Sequence, residues 1–75
     1  MSRPLGEMDK GQRFEIEDVD DETLKAKLLR LGFMDGSVEC RRKLRNGPVV
    51  ISRNGTELAL GDSHAQKVTV ASGSD

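Results

Sequence analysis

The chain holds one histidine, His64, and one cysteine, Cys40. With Ser52 and Ser63 these are the side chains from which a nucleophile and its base could be drawn, and nothing in their spacing selects a set. Cys40 falls at an inward position of a strand-like run, where a free cysteine behaves as a small buried hydrophobe. A second candidate is the acidic group Asp18, Asp20, Asp21 and Glu22, which invites a calcium reading. An EF-hand loop needs glycine at its sixth position and glutamate at its twelfth. Counted from Asp18 those positions hold Thr23 and Leu29, so the motif fails. The same acids suit a helix start, with Asp20 or Asp21 as cap and the others at the positive end of the helix dipole. No CxxC, HxxxH or HExxH pattern occurs, so no metal-ligand set and no resident cofactor is expected. Exposed Asp, Glu and His64 offer Fe²⁺ only weak surface binding. The phosphate-cradling pattern GxxxxGK[ST] does not occur either. The chain therefore reads as a binding protein and not as an enzyme.

A basic strip, Arg41, Lys43 and Arg45, raises a nucleic-acid reading. The formal net charge is -1, whereas a dedicated nucleic-acid module is clearly basic. No aromatic residue interleaves with the strip to stack a base. A solvated strand face, neutralised across strands by Glu15, Glu17 or Glu57, is the better account.

The elements that position these residues are organised around Leu24 to Gly36. Leu24, Leu28 and Leu31 lie at i, i+4 and i+7, which predicts an amphipathic helix over about Asp21–Leu31 with those three leucines inward. Leu29 widens the stripe. Gly32 suits the left-handed residue that ends a helix, and Phe33 the position that packs back on the last turn. A helix this short needs an apolar surface to stand. Gln12 to Val19 alternates, with Phe14 and Ile16 on one side, as a half-buried strand does. Val38, Cys40 and Leu44 share a face of the next strand. Arg42 falls among them, so a bulge, a rim position or a side chain reaching to water is expected there. Asn46-Gly47-Pro48 reads as a turn, and Asn54-Gly55 as a two-residue hairpin. Leu58 and Leu60 point inward on the return. A single helical turn near His64, capped by Asp62 or Ser63, precedes a closing strand, Lys67 to Val70. Residues 1–7 read as a flexible N-terminus, 8–70 as the domain and 71–75 as a disordered tail. The sum is a mainly β fold: a small, partly closed barrel of about five strands with one inserted helix. Its imperfectly closed edge leaves weak self-association open. No run approaches the ~18 apolar residues of a membrane-spanning helix, so direct membrane insertion is not expected.

Leu28-Leu29-Arg30-Leu31-Gly32-Phe33-Met34-Asp35-Gly36-Ser37 resembles the signature of the FeoA family, ferrous iron transport protein A. That signature is a helix ending in L-L-x-L-G-hydrophobic-x-P-G-[ST], followed by a strand. Asp35 stands where the family has proline. Met8-Asp9-Lys10-Gly11 is similar to the family's earlier hydrophobic-x-P-G turn, again without proline. Asn46-Gly47-Pro48 occupies the place of Gly-Asp-Pro, and Leu58-Ala59-Leu60 and Val68-Thr69-Val70 match the family's late strands. The resemblance implies an SH3-like β-barrel and a cytosolic accessory role in bacterial ferrous iron uptake. The implied partner is FeoB, a membrane transporter with a cytosolic G-protein domain. Candidate partner-binding residues are Phe33 and Met34 beside the helix end, and Arg41 and Lys43 on the strand face; core is the better place for Phe33. Had the chain an arginine finger, Arg42 and Arg53 would be the candidates. Two other readings stay open. One is a free-standing peptide-binding module like the C-terminal domain of iron-dependent repressors. The other is an RNA-binding SH3-like barrel, whose affinity would fall steeply with salt.

Overall fold

The computed structural model describes residues 2–44 and 47–72. In chain order the elements are β1 (Ser2–Pro4), a 3-10 turn (Leu5–Glu7), β2 (Arg13–Val19), α1 (Glu22–Leu31), β3 (Val38–Lys43), β4 (Val49–Arg53), β5 (Thr56–Leu60), α2 (Asp62–Ala65) and β6 (Val68–Ser72). The six strands form one antiparallel sheet in the order β1-β6-β2-β3-β4-β5, with no ladder joining the outer strands β1 and β5. The mainly β architecture with one principal helix is as expected, with six strands in place of five.

Helix α1 starts and stops where the local signals put it. Asp21 is the N-cap, and its carboxylate accepts the Leu24 N–H at 2.9 Å. That bond is the first cause of a carboxyl pKa held below its ordinary value; Lys67, whose Nζ is 3.7 Å away, adds to the effect. Gly32 takes φ +84°. Its N–H bonds to the Leu29 carbonyl at 3.1 Å and the Phe33 N–H to the Leu28 carbonyl at 3.0 Å. This pair of bonds is the Schellman ending, which normally brings its C″ residue back onto the helix. Phe33 and Leu28 are both fully buried in one cluster with Leu24, Val38, Ile51 and Val70.

Five expectations are corrected. Residues 2–7 are not a flexible lead; Met1 lies outside the described residues. Ser2, Arg3 and Pro4 pair with Ala71, Val70 and Thr69, and Ser2 Oγ donates to Glu17. Leu5 and Met8 are fully buried, so the core itself anchors the N-terminal stretch. A three-residue strand is too short to show alternation. At the other end, Ala71 and Ser72 belong to β6, opposite Glu15 and Phe14 of β2; residues 73–75 lie outside the described residues.

Leu31 is 39% exposed, not inward. Phe33, returned over Leu28 by the turn, occupies the core beside the helix end, and Leu31 is left at the margin. Leu44 is 49% exposed. The ladder between β3 and β4 pairs Cys40 with Ile51 but Arg42 with Val50, so an extra residue breaks the alternation. Arg42 and, beyond it, Leu44 are thereby turned outward. A second irregularity, between Ile16 and Asp18 of β2, turns Val19 inward opposite Val68. Finally, α2 is present, but its cap is Gly61, without a side-chain bond; the Asp62 carboxylate instead accepts Gln66 Nε2 at 2.9 Å.

Candidate partner-binding surface

The residues that could do chemistry are dispersed. Cys40 is fully buried on β3, and that burial pushes its thiol pKa up, which makes it a poor nucleophile. His64 and Ser63 are exposed on α2, and Ser52 is half-buried on β4. Among the described residues no group of three or more His, Cys, Asp or Glu is placed to hold a metal ion. The acids before α1 do not converge: Asp21 is spent on capping, while Asp18, Asp20 and Glu22 are exposed. Among the described residues no helix is long and apolar enough to cross a membrane.

Arg53 has a structural task. Its Nε donates to the Gly32 carbonyl at 3.0 Å and its Nη1 to the Ser37 carbonyl at 3.1 Å. One guanidinium thus closes the turn between α1 and β3 from both ends. Gly36 makes this possible. A Cβ there would sit 2.9 Å from Nη1 and 3.0 Å from Nη2.

The outer face of the sheet carries a row of charges. In register across β2, β3, β4 and β5 stand Arg13, Glu39, Ser52 and Glu57. Glu39 lies 3.8 Å from Arg13 and 3.6 Å from Arg41, and Arg41 also reaches Glu57 at 3.8 Å. All of these side chains are substantially exposed, so each pair contributes little to stability. Beside the row a shallow groove of about 350 Å³ is lined by Lys10, Arg41, Arg42, Val50 and Glu57. Among the described residues Lys10, Arg42 and Lys43 have no carboxylate within ion-pair distance.

The candidates from the sequence therefore divide. Arg41 is on the exposed face, as expected. Lys43 is exposed but opposes Val49, a core residue, so it belongs to the strand's end and not to Arg41's row. The bulge puts Arg42 beside Arg41 instead. Met34 is partly buried against the core, and Phe33 is wholly inside it and presents nothing to a partner. Arg45 lies outside the described residues. The sequence reading missed the exposed apolar positions Leu29, Leu31 and Leu44; the alternation at Leu44 pointed the wrong way, and no local signal exposed Leu31.

An SH3-like sheet carrying one capped helix after its second strand defines the class. A family model, the FeoA domain, matches residues 3–72, and the chain belongs to the FeoA family. A crystal structure of an iron uptake regulatory protein, FeoA, superposes with a TM-score of 0.78 at 27% identity, covering 95% of this chain and 97% of that one. A manganese-dependent transcriptional repressor matches at TM-score 0.76 and 17% identity, with 95% of this chain on 41% of the repressor. A FeoA-like protein from Clostridium acetobutylicum, solved by NMR, matches at TM-score 0.72 and 19% identity, covering 95% and 86%. The last two likenesses concern the fold alone. No curated protein matches the sequence.

Proposed function

We propose that this chain is a cytosolic accessory protein of bacterial ferrous iron uptake that binds the cytosolic part of a FeoB-type transporter and acts by docking, without catalysis of its own. The observation that carries this reading is the FeoA-domain match over nearly the whole chain. The groove formed by Lys10, Arg41 and Arg42, with cations in excess of its one carboxylate, suits an acidic surface on such a partner. Arg53 is poorly suited to be a finger for nucleotide hydrolysis, because two of its guanidinium donors hold it against the Gly32 and Ser37 carbonyls.

The test is a calorimetric titration against the transporter's soluble G-domain region, with and without a GTP analogue, followed by GTPase rates. Binding that weakens with salt and with Arg41→Glu plus Arg42→Glu is the expected result. Failure to bind either the G-domain in any nucleotide state or the intact detergent-solubilised transporter would overturn the reading. A second reading, a peptide-binding regulatory module, draws support from the likeness in fold to a stretch of the manganese-dependent repressor.

A further inference from the structure

The two outer strands of the sheet are not equivalent. β1 has three residues, one of them Pro4, which has no N–H to offer. β5 has five residues, no proline, no bulge and a regular ladder to β4. Natural sheets normally blunt such an edge.

The hairpin fixes which backbone groups of β5 are free. Asn54 and Gly55 both take positive φ, 52° and 84°, as a two-residue type I′ turn requires. Arg53 and Thr56 then close the turn as a hydrogen-bonded pair. Alternation along an antiparallel ladder makes Ile51–Leu58 and Val49–Leu60 hydrogen-bonded too, and leaves Ser52–Glu57 and Val50–Ala59 as the non-bonded pairs. The N–H and C=O groups of Glu57 and Ala59 therefore point away from β4. Both residues are exposed, and among the described residues no other group bonds to these four.

We propose that β5 pairs antiparallel with β5 of a second copy of this chain, about a two-fold axis at Leu58. That register sets Glu57 against Ala59 of the second copy, and Ala59 against its Glu57, so all four outward groups on each strand are used. Leu58, half-buried against the core, meets its own copy at the axis in a close non-bonded pair. Each Glu57 carboxylate faces a methyl group, and its charge is already met by Arg41. Sliding the strands to centre on Glu57 would oppose two carboxylates directly, which is destabilising. Sliding them to centre on Ala59 would call on Gly61, whose carbonyl already accepts the Ala65 N–H.

Space is available. A cleft of about 280 Å³ borders the edge, between Leu60 and His64 on one side and Thr23, Leu24 and Lys27 of α1 on the other. A Cβ on Gly55 or Gly61, at the ends of the strand, would meet nothing within 4 Å. The contact closes on itself and does not propagate, because β1 cannot complete the same pairing head to tail. One short strand per copy buries less than the ~1,000 Å² of a stable interface, so the pair is concentration-dependent.

The test is sedimentation equilibrium of the full chain from micromolar to millimolar concentration, beside Ala59→Pro. The Ala59 N–H serves no bond within the chain, and an edge strand tolerates proline where its N–H faces solvent, so this variant keeps its fold. Wild type should pass from monomer to dimer, and Ala59→Pro should stay monomeric. In parallel, Leu58→Cys under mild oxidant should cross-link to itself, since a non-bonded pair holds its Cα atoms about 4.5 Å apart, within disulfide reach. Thr56→Cys should not, because its copy lies roughly 13 Å along the strand. Cys40, fully buried, does not compete. A wild type monomeric throughout, or a dimer that survives Ala59→Pro and leaves Leu58→Cys uncross-linked, would overturn the pairing. The first outcome would leave the edge to a strand from another protein, and the second would place the contact on another face.

Discussion

Arg53 and Arg41 stand on neighbouring strands of one sheet and do opposite things. Arg53 is partly buried, and its guanidinium is bonded to two backbone carbonyls of the turn after α1. Arg41 lies half in solvent between two carboxylates, each more than 3.5 Å away. The first region is over-determined: a left-handed glycine, a returned phenylalanine, a glycine without room for a Cβ and a guanidinium all specify one conformation. The second is a loose set of surface charges that can exchange partners. The residues that resemble the family signature fall in the first region, where they hold the fold. The residues proposed to meet a partner, Arg41 and Arg42, fall in the second.

This contrast can be broken or sharpened by substitution. The largest effect is expected from Phe33→Ala, which empties a fully buried site and should cost about 3–5 kcal/mol in urea or guanidinium unfolding. That is a large part of the total stability of a small domain. An effect under ~1 kcal/mol would mean the turn is not part of the core. Next comes Arg53→Ala. Loss of its two charge-assisted bonds should cost about 1.5–3 kcal/mol. Gly36→Ala should destabilise the wild type but lose most of its effect in the Arg53→Ala background, because the three atoms nearest the added methyl all belong to that guanidinium. Additive effects in this double-mutant cycle would separate the two residues.

A smaller, pH-dependent effect is expected at the other end of α1. The folded-state pKa of Asp21 lies below its ordinary value of 3.8, so the folded state favours the ionised carboxylate. Its contribution is present above the unfolded pKa and lost as pH falls through the folded one. Asp21→Ala should therefore be less stable than wild type near neutral pH, and the gap should close below about pH 4. A gap that stays constant into acid would remove the carboxylate's charge from the account. The smallest stability effect belongs to Arg41→Ala, about 0–1 kcal/mol, since its ion pairs are exposed. Should the same variant weaken transporter binding several-fold, the division between folding and docking residues would stand; should it unfold the protein instead, the charged row would have to be counted as structural.

The expected helix and its boundaries agree with α1 because every signal involved is local. An N-cap acid, a leucine spacing of three and four, and a glycine stop act through residues within one turn of each other. The Asn54-Gly55 hairpin is legible for the same reason. The family was legible from the order and spacing of several weak motifs, although two of its prolines are replaced. The candidate surface was half legible: the exposure of Arg41 and an irregularity at Arg42 were both expected, but the sequence did not show that the bulge sets Arg42 beside Arg41 and turns Leu44 outward.

By itself, then, the sequence determined the helix, its stop, the hairpin, the mainly β character and the family. Tertiary structure alone decided that Ser2–Pro4 forms a strand and that Leu5 and Met8 complete the core, since a β6 edge some 65 residues away supplies the pairing. It also decided the exposure of Leu31 and Leu44, the company of Arg41 and Arg42, and the engagement of Arg53. Each of these depends on a bulge, on which side chain wins a place in the core, or on a contact between distant parts of the chain. Local spacing marks such a feature at most faintly, as Arg42 does on an apolar face, because the energy that selects it comes from packing and from backbone groups that must find partners across the sheet.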